Sequence, residues 1–239
     1  MARAPAPRQL ALALGHAESL SREDFLPGPP NADALALIER WPDWPGRTIA
    51  LVGPEGSGKS HLAAIWANAA GARFISAHAL EEADLPAALA TGALVIEDVV
   101  PATGERALFH LMNLARAENA YLLLTARIAP VQWDVRLPDL ASRLRQMPAV
   151  NVGPPDEVLL RAVLVKLFAD RQIKVDETLI AYLATRLERS FAAARAAVET
   201  LDREALRRHR PITRAFAAEV YRDSGSGSDA PRQGTLEIF

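Results

Sequence analysis

The chain has 239 residues, half of them apolar, enough for one α/β domain with a smaller module attached. A formal net charge of −2 leaves no broad cationic face for gripping a phosphate backbone, which argues against direct DNA binding as the main activity. The absence of cysteine excludes disulfides, thiolate metal sites and a cysteine nucleophile, and the five histidines, at 16, 61, 78, 110 and 209, fall without ligand spacing.

In chain order, Met1 to Pro7 is rich in Ala, Pro and Arg and builds neither helix nor sheet, so residues 1–20 read as a mobile arm. No apolar run approaches the roughly 20 residues that cross a bilayer, and the N-terminus lacks a signal-peptide core, so the expectation is a cytoplasmic protein with no membrane partner. A Pro/Gly-rich loop, Phe25-Leu26-Pro27-Gly28-Pro29-Pro30, precedes a helical pattern from Ala32 to Arg40 that Pro42 and Pro45 stop.

From Thr48 short β-rich runs alternate with helical ones. Thr48–Val52, Arg73–Ser76, Leu94–Ile96, Tyr121–Thr125 and Ala149–Val152 read as strands. Strands separated by helices call for crossover connections and a parallel five-stranded sheet between helices, assigned to residues 21–153. After Pro154 and Pro155 the pattern is helical over Asp156–Arg171, Asp176–Leu187, Ser190–Arg208 and Thr213–Arg222, a small all-helical lid over 154–223. Residues 224–239 open with Ser224-Gly225-Ser226-Gly227-Ser228, a flexible linker by composition, and end in a tail carrying Gln233, Leu236 and Phe239.

The first chemistry-bearing segment is Gly53-Pro54-Glu55-Gly56-Ser57-Gly58-Lys59-Ser60. It fits G-x-x-x-x-G-K-[ST], follows an apolar strand and opens the helix that continues from His61 to Ala70. Gly53, Gly56, Ser57, Gly58 and His61 belong to a loop whose backbone N–H groups can close around phosphates, Lys59 can reach the outer phosphates, and Ser60 can hold Mg²⁺. ADP or ATP with Mg²⁺ is the expected ligand, and the fold class is a P-loop NTPase of the AAA+ kind.

At the end of the third strand, Glu97 and Asp98 sit where ligands gather in open α/β sheets. The commoner order in AAA+ proteins is Asp then Glu. Here Glu97 falls on the metal side and the shorter Asp98 on the water-activating side, which implies slow intrinsic hydrolysis. Thr125, at the end of the next strand, is the candidate to meet the outer phosphate or the water, and β-propensity alone equally accounts for a threonine there.

Several local patterns together resemble the Hda family of DnaA-related AAA+ regulators, over most of the chain. They are Phe25-Leu26-Pro27-Gly28 with Asn31, the phosphate loop, Leu108-Phe109-His110-Leu111-Met112-Asn113, Leu122 to Arg127, and Leu137-Pro138-Asp139-Leu140-Ala141-Ser142-Arg143-Leu144. The resemblance makes Arg143 an arginine finger presented in trans to nucleotide on a neighbouring AAA+ subunit, an effect worth roughly 10³ to 10⁵ in rate where such fingers act. Without the resemblance Arg143 reads as a solvated helical arginine like Arg145.

The same resemblance makes Gln9, Leu10, Leu12 and Leu14 a peptide for the DNA polymerase sliding clamp, its beta subunit. Three leucines entering an apolar groove contribute about 5 to 9 kcal/mol gross, reduced by ordering of the arm, so micromolar affinity is expected. The local sequence also allows this stretch to pack on its own domain. The tail residues Gln233, Leu236 and Phe239 echo a related peptide with a poorer spacing.

The family's second phosphate sensor, an arginine at the start of a lid helix, aligns with Ala192; Arg189 and Arg195 lie a helical turn away. That departure and the reversed acids favour a nucleotide that organises the domain more than it fuels it. The implied role is negative control of replication initiation: held at the clamp, with DNA contacted only through it, the protein stimulates ATP hydrolysis on the DnaA initiator. A homo-oligomer is compatible with this. The rivals are an independent AAA+ ATPase such as a helicase loader and an origin-binding initiator; no basic recognition helix follows Asp223 to support the latter.

Overall fold

The computed structural model describes residues 20–100 and 104–225. Five apolar runs form the strands β1 (Thr48–Val52), β2 (Arg73–Ser76), β3 (Ala93–Val99), β4 (Tyr121–Ala126) and β5 (Ala149–Asn151). All pair in parallel in the order β2-β3-β4-β1-β5. Every strand expected from the sequence is present, and β3 extends furthest beyond expectation, running through both acidic residues to Val99.

The strands are apolar throughout because both faces are covered. Ile49, Leu51, Ala93, Val95 and Leu123 pack beneath α1 (Ala32–Glu39) and α2 (Lys59–Ala70). Ala50, Val52, Leu94, Ile96, Leu122 and Leu124 face the opposite layer, with α3 (Leu85–Leu89), α4 (Glu105–Ala117) and α5 (Pro138–Gln146). Each such leucine or isoleucine contributes about 1.5–3 kcal/mol, so the alternation fixes strand register as well as stability.

The lid consists of α6 (Glu157–Asp170), α7 (Glu177–Arg186), α8 (Phe191–Arg208) and α9 (Arg214–Gly225). Asp156, Asp176 and Ser190 begin the first three, each accepting the backbone N–H three residues on at 2.8, 2.8 and 3.0 Å. The Leu179 N–H thereby holds the Asp176 carboxyl below its ordinary pKa. Phe168 and Phe216 are fully buried at the centre of the lid with Leu164, Leu183, Val198 and Leu201. Helix α9 continues two residues into the Ser/Gly stretch read from composition as linker, because extending a formed helix is far easier than starting one. Among the described residues no helix is long and apolar enough to cross a membrane.

Hydrogen bonds join lid and sheet domain. Lys166 on α6 donates to Asp24 and to Asp170, both at 2.7 Å, and the Phe191 N–H donates to the Gly56 carbonyl at 2.8 Å. The segment carrying Asp24 is anchored by Asn31, which is 1% exposed. Its Oδ1 accepts the Gly28 N–H at 2.8 Å and its Nδ2 donates to the Leu26 carbonyl at 3.2 Å. Asn31→Ala strips both partners, and an unpaired buried polar group costs about 1–3 kcal/mol. Urea unfolding is expected to show a lower midpoint with an unchanged slope.

Candidate functional site

The phosphate loop lies between β1 and α2, at the carboxyl edge of the sheet. Gly53 is required by close approach: a Cβ there would stand 2.0 Å from the Val152 carbonyl oxygen just past β5. Gly56, at φ +70°, turns the loop in the left-handed region, and a Cβ would meet Ser190 at 2.9 Å. The loop is therefore shaped from below by the sheet and from above by the lid.

Lys59 is 7% exposed, and its Nζ donates to the carbonyls of Gly53 and Pro54 at 2.8 and 2.7 Å. Burial pushes its pKa down, Asp98 opposes that shift, Arg127 adds to it and Glu55 opposes it. Ser57 is 1% exposed, and its Oγ has no hydrogen-bond partner among the described residues. Ser60 is exposed on the wall of a cleft of about 310 Å³ that Glu55, Gly56, Lys59, Asp98 and Arg127 also line.

The two acids diverge. Glu97 is still paired in the sheet, opposite Ser76, and strand alternation places it with Ala93 and Val95 on the α2 face, half-buried. The ladder then shifts between Ile96 and Val99, Asp98 takes φ +54°, and its carboxylate joins the cleft beside Lys59. Thr125 lies underneath, 1% exposed, and its Oγ1 accepts the Asp98 N–H at 3.0 Å. Its oxygen holds the kink that aims Asp98, and the hydroxyl proton is left to meet an outer phosphate or a water. Of the two strand-end acids, Asp98 lines the cleft, and Thr125 positions it.

A second pocket, of about 210 Å³, adjoins the cleft and shares Leu20, Gly58, His61, Phe191 and Arg195 with it. Its walls are mainly apolar, with Phe25 and Leu26 from the N-terminal segment and Val163 and Leu167 from α6. His61 closes its floor: Nε2 lies 2.8 Å from the Ser21 carbonyl, which can only accept, so that nitrogen carries the proton. The ring meets Phe25 edge-on, with centroids 5.1 Å apart. This pocket escaped the sequence reading because its walls come from segments some 140 positions apart. The only local signal was the apolar pair Phe25-Leu26 inside a Pro/Gly loop.

Ala192 lines the cleft and brings no charge, while Arg195, one turn on, lines both cavities; Arg189 is exposed. The donor set suits an adenine nucleotide: a glycine cradle, a buried serine hydroxyl without a partner among the described residues, a buried lysine for phosphates and an apolar slot for a flat ring. Among the described residues no cluster of His, Asp or Glu could hold a metal ion by itself, so Mg²⁺ would be held jointly with phosphate oxygens.

Arg143 lies on α5, away from these cavities. Leu140 and Leu144 bury the helix's inner face, and the Glu105 carboxylate accepts the Arg136 and Leu137 N–H groups at 2.9 to 3.1 Å, fixing its start. The Arg143 guanidinium rests half-exposed over the Phe109 ring, 4.9 Å from its centroid, and no carboxylate pairs with it among the described residues. Gln9, Leu10, Leu12 and Leu14, and the tail residues Gln233, Leu236 and Phe239, lie outside the described residues.

No family model matches the chain. It is 27% identical over 161 residues to the chromosomal replication initiator protein DnaA 2 of Chlamydia caviae, covering 59% of this chain and 35% of that protein. The chain thus corresponds to about a third of the length of the relative. Among solved structures, domain III of the Thermotoga maritima replication initiation protein DnaA superposes with TM-score 0.72 at 20% identity, over 85% of this chain and 96% of that one. AMPPCP-bound DnaA from Aquifex aeolicus superposes with TM-score 0.66 at 16% identity, over 85% and 69% of the two chains. The fold is the DnaA-like AAA+ fold.

Proposed function

We propose that this DnaA-like AAA+ chain holds an adenine nucleotide in its own cleft and acts on a DnaA-type initiator, completing the initiator's hydrolytic site with Arg143. Lys59 leaves its loop carbonyls for the phosphates, the 53–60 backbone encloses them, and the pocket of Phe25, Leu26, Val163, Leu167 and Phe191 receives the base. Bound nucleotide supplies the anion that the lid and sheet domain both contact, and so sets their relative position. Slow turnover suffices for that role.

The observation that carries the proposal is the state of Arg143. A planar, permanently charged group is held half-buried on an aromatic face, with no carboxylate partner among the described residues, by a helix pinned at its start. Such an arginine is preorganised to meet charge developing on another subunit's phosphoryl oxygens. The Gln9–Leu14 segment places this encounter at the sliding clamp, and the consequence is conversion of initiator-ATP to initiator-ADP, a negative control of replication initiation.

Reconstitution tests this. ATP-loaded initiator is mixed with the clamp on DNA, and hydrolysis is followed with and without the chain. Stimulation is expected with the full chain and is expected to fall at least about tenfold when residues 1–14 are deleted, since tethering supplies effective concentration. Undiminished clamp pull-down by the deleted chain would end the clamp assignment. No stimulation under any condition would favour an independent AAA+ ATPase.

A further inference from the structure

We infer that the corner between α8 and α9, at the far end of the lid, binds the phosphodiester backbone of duplex DNA without regard to sequence. This goes beyond the proposed function, in which DNA is reached only through the clamp, and it depends on neither the nucleotide cleft nor Arg143.

The sequence concentrates charge at this corner. Residues 203–222 hold six arginines, no lysine and two glutamates, a local charge of +4 in a chain whose total is −2. Arg203, Arg207, Arg210, Arg214 and Arg222 are all exposed. The small net charge of the whole chain conceals a short cationic surface of the kind that attracts a polyanion.

Ion pairs within the lid do not cancel it. Glu204 is shared by Arg207 and Arg208, at 2.7 and 3.0 Å, and Glu219 by Arg208 and Arg210, both at 2.9 Å. Two carboxylates thus serve three guanidiniums, and Arg203, Arg214 and Arg222 pair with no carboxylate among the described residues. The other acids of α8, Glu199 and Asp202, lie before the corner, and Asp202 faces Arg171 of α6.

Aromatic rings hold the cations in place. Arg208 and Arg210 lie over Phe216, 5.9 and 5.3 Å from its centroid, while Arg186 of α7 and Arg214 lie over Tyr182, at 5.3 and 5.8 Å. Guanidiniums so held present their forks to phosphate oxygens with less ordering left to do. A membrane surface would instead need an apolar face to insert. The apolar faces here, Val198 and Leu201 on α8 and Phe216 and Val220 on α9, are buried in the lid core, and Leu206 is the one large apolar side chain exposed on these two helices among the described residues.

Placement keeps the corner apart from the nucleotide. Ala192, in the first turn of α8, lines the cleft, and Arg208 ends the same helix, about 24 Å further along its axis. Duplex and nucleotide therefore do not compete.

The test is fluorescence anisotropy of a dye-bearing, random-sequence duplex with the full chain alone, at rising salt. At about 50 mM salt micromolar binding is expected, with a slope of log affinity on log salt of about −3, three to four phosphates at about −0.9 each. Arg203→Ala, Arg207→Ala and Arg214→Ala combined are expected to weaken binding at least about tenfold and to flatten the slope by about two to three. Lysine at the same three positions is expected to restore the slope, since each charge returns, which separates lost charge from lost structure. Arg40→Ala with Arg116→Ala, two exposed arginines of the sheet domain, and saturating ADP are each expected to leave binding unchanged. The inference is overturned by a wild-type chain that does not bind the duplex, by an unchanged slope in the triple alanine variant, or by an equal loss in the Arg40 and Arg116 variant. Competition by ADP would move the contact to the cleft, and binding to phosphatidylglycerol vesicles in preference to duplex would make the corner a membrane site; either result overturns it as well.

Discussion

Arg143→Ala is expected to remove stimulation of initiator ATP hydrolysis by roughly 10³-fold or more, the scale on which arginine fingers act, while the chain's own nucleotide affinity stays unchanged. The separation follows from placement. Arg143 projects from α5 over Phe109, whereas the cleft is bounded by the 53–60 loop, Asp98, Arg127 and the start of α8. Loss of the aromatic stack removes a half-exposed cation–π contact of about 0.5–1 kcal/mol, too little to unfold the domain. Arg143→Lys keeps the charge and discards the fork, so it should recover only a minor part of the rate. Single-turnover hydrolysis on ATP-loaded initiator, with clamp and DNA constant, reads all three proteins. Equal stimulation by wild type and Arg143→Ala would take the residue out of the mechanism.

What could be read from the sequence follows from how local each feature is. Ile49 to Val52, Leu94 to Ile96 and Leu122 to Leu124 announced buried parallel strands because a strand covered on both faces must be apolar at every position. The phosphate loop was equally legible, since one contiguous run builds it. The strand pattern puts Thr125 near the end of β4 and gives no sign of the contact its oxygen makes. Its hydroxyl oxygen is taken by the Asp98 N–H, an arrangement that depends on Asp98 entering the left-handed region, which aspartate tolerates better than most residues but which no spacing rule signals. The apolar pocket was invisible for a different reason: Phe25, Val163 and Phe191 become neighbours only once the lid has folded back across the loop.

Lys59 carries the last large effect, and it bears differently on affinity and on stability. Lys59→Met is expected to weaken ADP and AMPPCP on the order of a hundredfold, the loss of two charge-assisted hydrogen bonds to phosphate at about 1.5 kcal/mol each. The melting temperature of the ligand-free domain should change little, because methionine removes the buried charge but leaves the Gly53 and Pro54 carbonyls without their donor. The pH dependence distinguishes this from simple damage. Burial lowers the Lys59 pKa below 10.5, so the folded state disfavours the ammonium. That penalty is present at neutral pH and fades as pH rises through the lowered folded value toward 10.5, since over that window the unfolded chain binds more protons and stability climbs with pH. Nucleotide binding needs the ammonium and must weaken over the same window. Wild-type protein should therefore gain ligand-free stability and lose affinity together as the solution turns alkaline, and Lys59→Met should show neither trend. Thermal unfolding and calorimetric titration across that range measure both, and a Lys59→Met variant that keeps the wild-type alkaline loss of affinity would show that another group sets it.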